Sequence, residues 1–390
     1  MNYRKTMWIP GLLLVTALVA LLLASSGVTR AASSSQLSPS TCAWKLVSSP
    51  SPGTNSNYLA GVAAVSAKDV WAVGNYQSSG IIKTLTQHWN GSAWKVVSSP
   101  NPSPEAQLNA VTRVPGTKQL WAVGEYFSTY WHTLVLQWDG AKWQRVPSPN
   151  VGQNINFLSG VTAISAHDIW AVGSYYDGSS TITLAEHWNG IQWSIVASAN
   201  PGSFYNNLLA VAAVSSTDVW AVGNYENGSG EPTLTEHWNG TNWSVVANPT
   251  PGTGGALNAI TRVPGTNQVW AAGYYFSNSG SEPALIERWN GTSWKVVSSP
   301  NLGASFDYLQ GITAVSANNV WAVGIYSDGA VTIIALVEHW NGASWSVVSA
   351  PSPDAGDSLY GVTNIPHTSK LWAVGVGGSQ INGTLTESYC

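Results

Sequence analysis

Charge is scarce in this chain. Asp, Glu, Lys and Arg make up 9% of its 390 residues, against roughly 25% in ordinary globular proteins. Gly, Ser, Asn and Thr fill the polar positions instead. The net charge is −4 and no basic patch is present, so the electrostatic footprint of nucleic-acid binding is missing. Cysteine is nearly absent, with Cys42 and Cys390 alone. Neither lies near the end of the leader, which excludes a lipoprotein anchor. One long apolar run exists, Ile9 to Ala24. It is short for a membrane span and suits the apolar region of a signal peptide. Arg4 and Lys5 precede it and small residues follow, so residues 1–31 read as a leader cleaved after Ala31. An uncleaved N-terminal anchor, which would tie the protein to a membrane, is the rival. Cleavage leaves 12 basic and 19 acidic residues, a net charge of −7. Residues 32–41 are Ser-rich without periodicity and read as a tether.

What is abundant is tryptophan, with 22 residues at nearly fixed spacing. WAVG begins at Trp71, Trp121, Trp170, Trp220, Trp321 and Trp372, and WAAG at Trp270, at intervals of 50, 49, 50, 50, 51 and 51. Residues 42–390 are therefore seven copies of one unit. The first unit carries four strand signals: Leu59–Ser66, Val70–Tyr76, Thr84–Trp89 and Trp94–Ser98. An Asn90-Gly91 turn joins the last two. The turn recurs as Asp139-Gly140, Asn189-Gly190, Asn239-Gly240, Asn290-Gly291 and Asn341-Gly342. Glycine there supplies the positive φ of a tight hairpin. Four short strands repeated seven times predict an all-β, seven-bladed β-propeller with four-stranded antiparallel blades. A linear β-solenoid is the rival, although its repeats are usually shorter and its ends need caps.

The two ends of the chain are out of phase with the repeat. The seventh unit stops at a third strand, TLTESYC, and the chain after the tether begins with a lone fourth strand, CAWKLVSSP. The N-terminal strand is thus expected to complete the last blade and close the ring. Aligned on TQHWNGSAWKVVSSP, Cys390 takes the Asn90 position and Cys42 the Ser92 position. The cysteines then meet where other blades have a turn, and a structural disulfide is expected in an oxidising compartment. Two free thiols or an intermolecular bridge are the alternatives.

The motif Asp69-Val70-Trp71-Ala72-Val73-Gly74, followed by His88-Trp89-Asn90-Gly91 and Trp94, resembles secreted bacterial proteins built from WAVG repeats. The resemblance covers residues 42–390. More distantly the chain is similar to Kelch and galactose-oxidase-like propellers, which share a glycine ending strand two, an aromatic on strand three and a Trp on strand four. Here these are Gly74, Trp89 and Trp94. A single glycine stands where Kelch repeats have a pair, and the turn between the two aromatics is shorter. The resemblance implies the fold and no activity.

In an up-and-down blade the loops two-to-three and four-to-one share one face, and these are the loops that vary. That face is expected to carry any binding site. Tyr58, Phe157 and Tyr308 are assigned to four-to-one loops, and Tyr130 and Trp131 to a two-to-three loop. All five break the repeat pattern, and Trp131 is the one Trp of the mature chain outside the framework. Tyr76, Tyr126, Tyr175, Tyr225, Tyr275 and Tyr326 share one repeat position and read as packing. Aromatic faces beside small polar groups fit a glycan or an extracellular protein. Arg113 and Arg262, each in TRVPGT on an innermost strand, are expected to bond local turn carbonyls or carboxylates; binding an anion in the channel is the alternative that makes them candidate site residues.

His88, His187, His237 and His339 occupy one repeat position, so they read as structural, in separate blades and without a shared metal. Asp177, Asp307, Asp354 and Asp357 lack the acidic density of a dedicated Ca²⁺ loop. No cofactor is expected. Arg145 and Arg288 lie on outer strands and Asp boxes are missing, which disfavours a sialidase. Both cysteines sit at the closure, which disfavours a Cys–Tyr copper site. The expected protein is an exported monomeric binding or scaffold propeller without catalysis. The alternative is a carbohydrate-active hydrolase or lyase at the channel mouth.

Overall fold

A computed structural model describes residues 42–151, 155–303, 305–327, 329, 332–351, 355–378 and 383–390. The leader, the tether and Asp354 lie outside them. Every described strand belongs to an antiparallel group of four. Strand β1 is Trp44–Leu46, β2 Ser56–Ser66, β3 Asp69–Ser78, β4 Ile81–Trp89 and β5 Trp94–Val97. The first sheet has the order β2-β3-β4-β5, and the pattern repeats through 28 strands. About seven blades result. The sheets are not hydrogen-bonded into one closed sheet: a parallel bridge, Ile82 to Glu105, links the first two, and isolated bridges alone join later neighbours.

Each sheet is apolar on both faces because both are covered by neighbouring sheets. The second strands are the most buried: Val70, Ala72 and Val73 have no exposed surface, nor do their counterparts in other sheets. Indole rings fill the wide outer gaps between sheets. Trp71 packs on Trp138 and Trp143 of the second sheet at 4.4 and 5.6 Å between ring centroids. Trp220 packs likewise on Trp289 and Trp294 at 4.6 and 5.3 Å. The series runs sheet to sheet and ends with Trp372 against Trp89 and Trp94 of the first sheet, at 4.9 and 5.1 Å.

One irregularity recurs in all seven first strands. A β-bulge separates Leu59 from Gly61, and equivalent shifts follow Leu108, Leu158, Leu208, Leu257, Leu309 and Leu359. The bulge drives a backbone carbonyl against the second strand. A Cβ on Gly74 would lie 2.0 Å from Tyr58 O, and one on Gly375 1.8 Å from Ser358 O. This is the physical reason that WAVG ends in glycine.

The seventh sheet joins the two ends of the described chain. Strand β1 pairs with Gly383–Tyr389, setting Trp44 opposite Tyr389, as Trp94 stands opposite Trp89 in the first sheet. The side-chain bonds match as well. Thr386 Oγ1 donates to Val47 O at 2.5 Å and Thr86 Oγ1 to Val97 O at 2.6 Å. Cys42 and Cys390 are disulfide-bonded, their Cα atoms 5.0 Å apart and 348 residues apart in sequence.

Candidate functional site

The repeated polar residues are structural. Asp69 Oδ1 accepts hydrogen bonds from Trp71 Nε1 and His88 Nε2, both at 2.9 Å. Asp218 does the same for Trp220 and His237. Asn319 takes this role for Trp321 and His339. Each histidine ring also lies on its neighbouring indole, as His88 does on Trp71 at 4.4 Å. The tyrosines at the Tyr76 position pack against the core clusters in six sheets. No group of three or more His, Cys, Asp or Glu able to hold a metal occurs among the described residues.

The two variable loop sets meet at one end of the sheets. Backbone bridges tie them together: Thr181 to Tyr205, Glu231 to Gly254 and Glu282 to Phe306. The bulged pairing extends the first strands further toward this end than the sequence indicated. Tyr58, Phe157 and Tyr308, expected in loops, therefore lie on strands Ser56–Ser66, Asn156–Ser165 and Asp307–Ser316. Trp131 opens strand Trp131–Trp138, and Tyr130 alone of the five stays in a loop.

The structure does not gather these five into one cluster. Tyr58 packs on Tyr360 at 4.6 Å, and burial followed by the Tyr360 hydroxyl raises its pKa. Tyr130 packs on His132 at 4.2 Å. Trp131 and Phe157 do meet, at 6.1 Å, with Phe127 on the other side of Trp131 at 5.5 Å. Tyr308 belongs to a larger group, 4.4 Å from Tyr274 and 4.8 Å from Phe306.

That group carries acidic side chains. Tyr205 is raised by burial first and then by Glu231, to which it is hydrogen-bonded, and by Glu226 and Tyr274. Tyr274 is raised by burial and then by Glu282 and Glu231. Burial also raises Glu282. Phe204, next to Tyr205, is 62% exposed. Two half-buried tyrosines, two further aromatics and three glutamates thus stand together across the fourth, fifth and sixth sheets. Sequence reasoning passed over Tyr274, Glu231 and Glu282. A signal was present: Glu231-Pro232 and Glu282-Pro283 repeat in consecutive two-to-three loops and nowhere else.

Glu125 is a separate buried carboxyl near this end, on strand Leu120–Phe127. Gln107 Nε2 and Asn109 Nδ2 donate to it, the latter at 2.7 Å. Burial outweighs these bonds and pushes its pKa up to about 7.

Arg113 and Arg262 lie at the other end of the first strands, beside the tight turns. Neither guanidinium has a hydrogen-bond or carboxylate partner among the described residues, so the expected bonds to local carbonyls or carboxylates are not made. Arg145 and Arg288 contrast with them. Arg145 Nη2 donates to the Tyr126 hydroxyl at 2.6 Å, and Arg288 Nη2 to Gln268 Oε1 at 2.7 Å.

Comparison with known proteins supports the fold alone. YCF48 bound to D1 peptide, a β-propeller, superposes with a TM-score of 0.53 at 14% identity, covering 89% of this chain and 96% of that chain. The structure of YjhT, also a propeller, gives 0.45 at 11% identity over 76% of this chain and 99% of that chain. No protein-family model matches the chain, and no curated protein matches it.

Proposed function

We propose that this chain is an exported, non-catalytic binding or scaffold propeller that engages a protein segment at its variable-loop end. The leader at 1–31 directs export, residues 32–41 tether the domain, and residues 42–390 form a seven-bladed ring. Strand β1 and the Cys42–Cys390 bond close that ring, and a disulfide suits an exported protein. Trp372 resting on the first sheet's tryptophans supports closure.

The observation that carries the binding role is the Tyr205, Tyr274, Phe306 and Tyr308 group with its glutamates. Tyrosines offer rigid, amphipathic contact area at low entropic cost. Carboxylates beside them favour a segment carrying Lys or Arg. The structurally similar YCF48 holds a peptide, which is the same class of partner. Trp131 with Phe157, and Tyr58 with Tyr360, extend the apolar area around the mouth.

A displayed random-peptide library, run beside a glycan array and a glycosidase panel, tests the reading. Enrichment of peptides with basic and aromatic residues is expected, and loss of their binding in Tyr274→Ala and Tyr308→Ala. Glycan hits without peptide hits would replace the protein ligand by a sugar. Turnover of a glycoside would favour the hydrolase reading, for which Glu226, Glu231 and Glu282 are the carboxylates at hand.

A further inference from the structure

The tight-turn end of the innermost strands carries two unpaired cations where the repeat has small residues. Aligned through the bulge, one first-strand position reads Ala64, Arg113, Ala163, Ala213, Arg262, Ala314 and Asn364. Arg113 is half-buried and Arg262 exposed. Like charges without counter-charge oppose folding. Among the described residues neither has a carboxylate partner; Asp69, Asp168 and Asp218, the aspartates opening second strands at this end, are each bonded to a histidine.

A pocket of about 200 Å³ adjoins Arg113, lined also by Thr112, Thr363, Asn364 and Pro366. Thr112 and Thr363 make no side-chain hydrogen bond among the described residues. Asn364 Oδ1 accepts from Thr313 Oγ1 at 3.3 Å, which leaves the Asn364 amide NH₂ to donate. The second and fifth sheets share more than the arginine. Asn109 Nδ2 donates to Leu158 O at 2.9 Å, and Asn258 Nδ2 to Leu309 O at 3.0 Å. Each bond anchors an Arg-bearing strand to the next sheet, four residues before the arginine, so both side chains start from fixed backbone.

We propose that Arg113, with Thr112, Thr363 and Asn364 as neutral donors, binds a small polyvalent oxyanion in this pocket at the tight-turn end, and that Arg262, at the equivalent position of the fifth sheet and outside the pocket's lining, reaches the same ion. Guanidinium forks suit phosphate, sulfate and carboxylate groups alike. The pocket's size favours a small ion or short polycarboxylate over a polymer. Arg113 feels burial first and then the charge of Arg262, both of which lower its pKa. An anion between the two would relieve this repulsion. The site is independent of the partner surface at the opposite end.

Calorimetric titration of the whole exported protein with inorganic phosphate, sulfate and citrate, at constant ionic strength and with acetate as monovalent control, tests it. One saturable site is expected for at least one polyvalent probe, with acetate much weaker, and the preferred probe separates the three sources of negative charge. Arg113→Ala and Arg262→Ala should each weaken binding about tenfold or more, and the double variant should abolish it. Arg145→Ala should bind as wild type. Without anion, the double variant should melt no lower than wild type, since a repulsion is removed. The proposal is overturned if no probe saturates, if the double variant still binds, or if it is destabilised without anion, which would make the arginines structural.

Discussion

The interior of the sheets and the ends of their first strands follow opposite rules. Inside, the indole packing recurs in every sheet, and an Asp or Asn joined to a histidine recurs in four of them, at 2.8 to 3.0 Å. At the ends, the sheets diverge. The residue before the bulge leucine is Tyr58, Gln107, Phe157, Asn207, Ala256, Tyr308 or Ser358. Packing between sheets imposes a similar indole arrangement on every repeat, because each gap is lined by the same strands. The strand ends face no such template and are free to diverge toward a ligand.

Deleting an interior ring should have the largest effect on stability. Trp220→Ala removes an indole that contacts Trp289 and Trp294 and donates to Asp218. It should cost about 3–5 kcal/mol, measured by denaturant unfolding. A loss near that of an end residue would break the comparison. The disulfide comes next. Cys42→Ser with Cys390→Ser should cost about 2–5 kcal/mol, and reductant should lower the melting temperature of wild type while leaving the double variant unchanged.

The interior also holds a pH dependence of its own. Glu186, Glu236, Glu287, Glu338 and Glu387 occupy one buried position on the third strands, where the first two sheets have Gln87 and Leu136. Burial pushes Glu236, Glu287, Glu338 and Glu387 up to about 8, and Glu186 well above its ordinary value. Partners are few: Glu236 accepts from Ala199 N at 3.2 Å, and Glu287 from Asn248 Nδ2 at 3.1 Å. Below the unfolded pKa, near 4.5, both states are protonated and nothing is lost. As pH rises toward about 8 the unfolded chain ionises while the folded one resists. Stability should therefore fall through that window, by at most about 1.4 kcal/mol per pH unit for each group. Thermal melts at pH 5 and pH 8 check this. Gln87, whose Nε2 donates to Pro50 O at 2.8 Å, shows that the amide fits this position. Glu236→Gln with Glu287→Gln should flatten the pH profile. A profile unchanged by these substitutions would remove the glutamates as its cause.

The smallest effect on stability is expected at the ends. Tyr308→Ala should cost less than half of what Trp220→Ala costs, since Tyr308 is half-buried, yet it should abolish peptide binding. A stability loss equal to the interior one would make Tyr308 a packing residue.

Much of the outer architecture was readable before the structure. Seven copies of one unit, four strand signals in each and a phase offset at the ends predicted the antiparallel groups of four. The same offset placed Cys42 beside Cys390. The histidines read as structural because they repeat, and their aspartate and indole contacts show why. The face was legible and its residues less so. Tyr274 and Glu282 were missed because they become neighbours of Tyr308 only when two sheets pack side by side.

Local spacing and residue type were sufficient for the strands, the tight turns and their grouping in fours, because a period of about 50 residues repeats the same four strand signals. Tertiary structure alone decided the rest. The bulge after each first-strand leucine moved Tyr58, Phe157 and Tyr308 from loops onto strands, since backbone pairing and not composition sets where a strand begins. Burial between sheets made ordinary glutamates weak acids, because desolvation depends on what surrounds a carboxyl. That no carboxylate among the described residues pairs with Arg113 or Arg262 likewise follows from how distant repeats come together, and no spacing in the chain encodes it.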